Sequence, residues 1–272
     1  MRGVPRLGST ALSLALAGVI TLAAYTDPVL VAGVVLLVQL LVAVSPVLVS
    51  TAGEVIASPR FVPAAVAGVI STAVTLEPGL LSGADGTSSD VVGASDTGVL
   101  AGVLVAVMAA VFVALFAQML RRDGRGQLVQ SVGYAVMIAV IAALAVGWIG
   151  TVQSLGDAEA VAVGAAGLAA GLLVWLLPID RILCLGLVVI AGAGGGAAVA
   201  GTVDASMTVY YGVVVGAGAA LFAVLGQTVG HLVAHDGSHP ASRWGFPGAA
   251  AVALAGPIVY IGGQLITVPA LT

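Results

Sequence analysis

Long apolar runs alternate with short polar connections from one end of the chain to the other. The runs are continuous and do not alternate every second residue, so they predict helices. Most are near the length that spans the hydrocarbon of a bilayer. Nine such spans are read, at 7–24, 28–50, 61–76, 97–120, 127–150, 158–177, 182–201, 207–234 and 246–268. Prolines punctuate them. Pro28, Pro63 and Pro247 stand near helix starts, where a missing N–H costs least, and Pro178 closes the sixth span. Pro46 and Pro257 fall inside spans and predict kinks. Residues 77–96, rich in Gly, Ser and Asp, hold too little apolar surface to pack and predict a flexible outward loop. The expected fold is all-α, a polytopic transmembrane helical bundle forming one integral membrane domain over residues 1–272. A β-barrel is disfavoured, because its strands alternate apolar and polar positions.

Charge gives the bundle a direction. The cationic residues are all arginines: Arg2, Arg6, Arg60, Arg121, Arg122, Arg125, Arg181 and Arg243. They occupy alternate connections and leave the intervening ones empty. Moving arginine across a bilayer is unfavourable, so these connections are expected on the cytoplasmic side of the plasma (inner) membrane. Nine spans then put the N-terminus inside and the C-terminus outside. Acidic residues agree, since Asp27, Glu77, Asp85, Asp90, Asp96, Asp157, Glu159 and Asp204 fall in or beside outward connections. Glu54, Asp123, Asp180 and Asp236 fall on the inner side, each near an arginine in sequence. Tyr25, Trp148, Tyr210 and Tyr211 are expected at the outer interface, and Tyr134, Trp175 and Trp244 at the inner one. Residues 1–24 also begin as a secretory signal does. The apolar part is long for a signal and no small-x-small site precedes Tyr25, which favours a retained helix. Cleavage leaves eight spans with both ends outside.

Composition narrows the class further. The chain of 272 residues is 60% hydrophobic and 7% charged, where a soluble domain needs about a quarter charged to cover its surface. Its solvent is therefore lipid. No basic face exists for nucleic acid, and the single cysteine, Cys184, forms no disulfide framework. Lysine and asparagine are absent while Ala, Gly and Val dominate. In this general style the chain resembles uncharacterised polytopic membrane proteins of high-GC actinobacteria. The resemblance carries no diagnostic motif and transfers no functional residue.

Candidate chemistry is sparse. His231 and His235 are four apart, on one helix face if the eighth span continues that far, and with Asp236 they make a candidate transition-metal site. The alternative is that they line the inner membrane boundary. Arg121, Arg122 and Arg125 join the fourth and fifth spans and are candidates for a lipid phosphate or another anion, besides holding that loop inside. Gln39, Gln227 and Gln264, with Ser71, Thr72 and Thr75, are the polar groups within spans. They are read as hydrogen-bonding glue between helices, or as the lining of a polar passage. No Asp, Glu, Lys or Arg lies near the centre of a span, which counts against an ion-coupled pump. Gly167 and Gly171, Gly192 and Gly196, Gly212 and Gly216, and Gly226 and Gly230 have the small-xxx-small spacing that lets helices approach closely. They predict a close-packed core, or a docking face for a membrane-protein partner. A short match, ALFA at 114–117 and again at 220–223, is treated as coincidence in so Ala-rich a chain.

Three functions follow. The first is a non-catalytic component of a membrane assembly, in contact with membrane lipids and packing on a partner through glycine-rich helices. The second is a permease or flippase for a neutral or lipid-linked solute. The third is a membrane enzyme whose inner-face His/Asp site acts on a lipid phosphate.

Overall fold

The computed structural model describes residues 6–49, 55–56, 58–81, 98–121, 127–155, 158–203, 208–234 and 240–267. Ten helices carry nearly all of them: α1 (Arg6–Ala24), α2 (Pro28–Ala43), α3 (Phe61–Leu76), α4 (Gly98–Met119), α5 (Leu128–Leu144), α6 (Gly147–Leu155), α7 (Ala158–Trp175), α8 (Arg181–Val203), α9 (Val209–Val233) and α10 (Pro240–Thr267). Local chemistry starts several of them. The Asp27 carboxylate accepts from the Val29 amide at 2.8 Å with Pro28 in the first helical turn, and Thr208 Oγ1 accepts from Tyr211 N at 3.3 Å. At α8, Asp180 Oδ1 accepts from Ile182 N at 2.9 Å.

Seven helical stretches are long and apolar enough to cross a membrane: Leu7–Ala24, Gly102–Met119, Leu128–Gln153, Ala158–Trp175, Arg181–Thr202, Val209–Val233 and Ser242–Gln264. The apolar helices α2 and α3 have 16 residues each, about 24 Å of rise, which is short of the roughly 30 Å hydrocarbon core.

Three expectations are corrected. The helix over 28–50 stops at Ala43 instead of kinking at Pro46. Proline disfavours the helical conformation in the residue before it, so the chain leaves the helix at Val44–Ser45. It then forms a two-stranded antiparallel ribbon, β1 (Leu48–Val49) on β2 (Val55–Ile56), in a fold otherwise helical. The helix over 127–150 is broken. The Ala145 and Val146 amides bond three residues back, to Ala142 and Ala143 carbonyls at 3.3 Å, and α6 restarts at Gly147 and runs to Leu155. Pro247 lies inside α10, which begins at Pro240. Residues Pro78–Leu81 of the expected outward loop form a 3-10 turn, while 82–97 lie outside the described residues.

The aromatic positions need revision too. Tyr25, Tyr210 and Trp244 are exposed, as interface residues are. Trp148 is 0% exposed, packed in the core with its indole Nε1 donating to the Val252 carbonyl at 2.8 Å, so it belongs to no interfacial belt.

Small residues set how the helices stack. A Cβ on Gly167 would lie 2.3 Å from Gly216 Cα, and one on Gly196 2.2 Å from the Gly212 carbonyl oxygen, so α7 and α8 both press backbone to backbone on α9. Gly226 and Gly230 do the same for α9 on α10, against Ala250 and Pro247. The glycine pairs are thus used inside the bundle. A second cluster, Ala67, Ala106, Ala110, Ala139 and Ala143, joins α3, α4 and α5. Burial is uneven: 78% of Leu128–Gln153 is covered against 28% of Gly102–Met119 and 22% of Arg181–Thr202. The α5/α6 pair is therefore central, with α4 and α8 on the flanks.

Candidate functional site

Polar side chains inside the bundle gather in three places. In the first, α1 meets α9 and α10. Gln227 Nε2 donates to Thr10 Oγ1 at 3.2 Å and reaches Ser13 Oγ at 3.5 Å. Ser13 Oγ donates to the carbonyls of Ser9 and Gly248, at 2.9 and 3.0 Å. Ser9 Oγ lies in hydrogen-bond contact with His231 Nε2 at 3.1 Å. Ser9, Thr10, Ser13 and Gln227 are all buried. The glutamine is short of one bond, because its Oε1 finds no partner. Three hydroxyls on α1 at adjacent and four-residue spacing share one helix face, and that spacing was the sequence signal for this seam.

In the second place, Thr72 Oγ1 on α3 donates to Gln39 Oε1 on α2 at 3.1 Å. Gly68 allows the approach: a Cβ there would meet Gln39 Oε1 at 2.8 Å. Ser71 and Thr75 turn their hydroxyls back to the carbonyls of Gly68 and Ser71. Gln39 Nε2 is buried with no hydrogen-bond partner.

The third place is the end of the bundle where the ribbon sits. Arg60 Nε donates to the Ser45 carbonyl at 2.9 Å, and the Tyr134 hydroxyl donates to the Pro46 carbonyl at 2.7 Å. Ser58 Oγ donates to the Ser131 carbonyl at 3.0 Å. Arg121 Nη1 donates to Gln118 Oε1 at 2.7 Å and to Ser131 Oγ at 3.3 Å, while Gln118 Nε2 donates to Ser131 Oγ. Ser242 Oγ, at the start of α10, donates to the Val44 carbonyl at 3.2 Å. The bonds to Val44, Ser45 and Pro46 satisfy backbone carbonyls that leave regular helix, as a bilayer demands. The whole set gathers Arg60, Arg121 and the Arg243 segment at one end, the end that holds His231 and the start of α1.

The expected site residues fare unevenly. His231 is in the first seam, but His235 and Asp236 lie outside the described residues. Among the described residues no three of His, Cys, Asp and Glu converge as metal ligands. Arg121 is anchored as above, and Arg122 and Arg125 lie outside the described residues. Gln39 and Gln227 bridge helices. Gln264 is half-buried near the end of α10. Comparison with protein-family models, with curated proteins and with solved structures found no match to this chain.

Proposed function

We propose that this chain is a non-catalytic component of a membrane assembly, crossing the bilayer nine times with its N-terminus inside and its C-terminus outside. One observation carries the reading. Among the described residues every buried polar side chain is neutral: the set is Ser, Thr and Gln, with no carboxylate or cation. Proton relays and ion-coupled pumps need ionisable groups at membrane depth, because those groups bind the coupling ion. The gathering of Arg60, Arg121 and the α10 start that carries Arg243 at one end supports the orientation drawn from the arginine pattern. α2 and α3 complete the count of nine, with bilayer thinning or snorkelling arginines making up their length.

The glycine pairs already serve the chain's own core, so a partner is accommodated instead on the flanks. α4 turns Leu104, Met108, Phe112 and Phe116 outward, and α8 turns out Leu183, Leu187 and Ile190. Lipid covers these faces wherever a partner does not.

A second reading, a permease for a neutral or lipid-linked solute, is favoured by the unpaired Gln39 Nε2 beside the hydroxyls of α3. The enzyme reading gains nothing from Ser9 holding His231. One experiment separates them: purification in mild detergent or nanodiscs, with identification of all that stays bound. A stoichiometric membrane-protein partner supports the assembly reading. A retained solute in place of protein supports the permease, and a stoichiometric metal lost in H235A supports the enzyme; either result overturns the first reading.

A further inference from the structure

We infer that the bundle consists of two units that rock on each other, pivoting where α5 passes into α6 and opening at the end that carries Arg60 and Arg121. The first unit is α2–α5, and the second is α1 with α6–α10. Buried hydrogen bonds between elements mark the division. Thr72 to Gln39, Gln118 to Ser131 and Tyr134 to the Pro46 carbonyl lie within the first unit. Gln227 to Thr10, Ser13 to the Gly248 carbonyl and Trp148 to the Val252 carbonyl lie within the second. Two bonds that cross between the units are of another kind. Ser242 Oγ donates to the Val44 carbonyl at 3.2 Å and Gln153 Nε2 to the Leu76 carbonyl at 3.5 Å, and both are exposed. They stand at opposite ends, since α3 runs from Arg60, beside Ser45, to Leu76.

Packing divides in the same way. Glycine contacts tie α7, α8, α9 and α10 closely together, whereas the alanine cluster ties α3, α4 and α5. Between the units the contact is apolar: α2 packs on α1, α6 and α10, and α5 packs on α10. Val31, Val35, Val38 and Val42 of α2 share one core cluster with Phe246 and Val252 of α10. Lipid tails are as apolar as these side chains, so lipid replaces part of this contact at little cost. The chain passes between the units at two short connections, Tyr25–Asp27 and Ala145–Val146. The second is the pivot. Its amides bond three residues back, a tight winding that often marks a hinge within a helix. A Cβ on Gly147 would lie 2.4 Å from Pro257 N, so two backbones meet there with no side chain between them. By helix rise the joint is about 25 Å from the start of α5 and about 13 Å from the end of α6. One rotation therefore moves the arginine end roughly twice as far as the other. The Tyr25–Asp27 turn holds the units at that other end, because α2 starts there and finishes beside the ribbon.

The motion needs neither a partner nor a solute, so its failure leaves the assembly reading standing. Paired spin labels on the full chain in nanodiscs test it, in a C184A background that removes the native thiol. V129C with L232C puts one exposed label on each unit at the arginine end, and L80C with Y210C does so at the far end. L183C with L232C, both in the second unit, is the control. The first pair is expected to give a second, longer distance, or a distribution wider than the control's. The far pair changes by roughly half as much. S242A removes the crossing bond at the arginine end and enriches the longer distance. P257A returns an N–H to α10 at the joint and depletes it; should P257A fold poorly, S242A decides alone. One narrow distance for V129C with L232C, as sharp as the control and unchanged by S242A, overturns the proposal. A larger spread at the far end, or a longer distance undiminished in P257A, overturns the assignment of the pivot.

Discussion

Gly167 and Gly194 are chemically identical and sit on neighbouring helices, yet they face opposite demands. A methyl group on Gly167 would be driven to 2.3 Å from Gly216 Cα, where backbone has to move, whereas Gly194 has nothing within 4 Å. G167A is expected to destabilise the purified protein by about 2–3 kcal/mol through overpacking. G194A is expected to leave it unchanged or stabilise it by about 0.5–1 kcal/mol, as alanine does over glycine in a helix. Thermal or denaturant unfolding in detergent micelles checks both, and equal effects would contradict the packing of α7 on α9. The small-xxx-small spacing in the sequence pointed to these glycines without telling an inward one from an outward one. Period alone marks a face, and only the fold says what the face meets. The same holds for polar residues. Gln39 and Gln227 are conspicuous in apolar sequence. Ser9, Thr10 and Ser13 are not, because hydroxyls are ordinary in membrane helices and cap their own carbonyls when nothing better is near.

At the scale of elements, two interruptions meet. α5 gives way to α6 at Ala145–Val146, directly against the stretch of α10 that contains Pro257. A Cβ on Gly147 would lie 2.3 Å from the Gly256 carbonyl carbon. Pro257 has no N–H for the Ala253 carbonyl, so that turn of α10 is weakened, and Trp148 donates into it at the Val252 carbonyl. Replacing Trp148 by Phe keeps most of the ring and removes the donor. The expected cost is about 2–3 kcal/mol, the hydrogen bond plus the lost volume, read as a lower unfolding midpoint. A variant as stable as the unaltered chain would show that the indole N–H contributes nothing to this joint. Pro257 was legible in the sequence as a weakened turn because its cause, the missing N–H, is local. The break in α5/α6 was not, since 144–147 carries no proline and the partner that opens it lies more than a hundred residues away. The early stop of α2 was half legible. Pro46 marked it, but the apolar run on both sides of the proline masked the end of the helix.

The whole molecule is closed by its two ends. α1 enters the bundle first and finds its hydrogen-bond partners on α9 and α10, through Gln227, His231 and Gly248. Its apolar face is covered as well, with Leu16, Ala17 and Ile20 buried. Until the last helices are made, the hydroxyls of α1 have only their own backbone to bond. Each such contact contributes on the order of 0.6 kcal/mol in a membrane, so the polar set is modest in energy but selective in register. A chain lacking residues 1–24 is therefore expected to insert and then fail to give monodisperse protein in detergent, because it uncovers Gln227 on α9. Supplying residues 1–27 as a separate segment in the same cells should restore the folded species, as helices that insert independently associate afterwards. The S9A/T10V/S13A version of that segment, equally apolar but unable to bond Gln227 or His231, should restore it poorly. Size-exclusion profiles and melting midpoints of the co-purified pieces decide the outcome. If the shortened chain is as stable as the full one, α1 is an appendage and the polar seam has no part in holding the bundle. If the triple variant restores as well as the natural segment, the seam is packing alone and its hydrogen bonds do not choose the register.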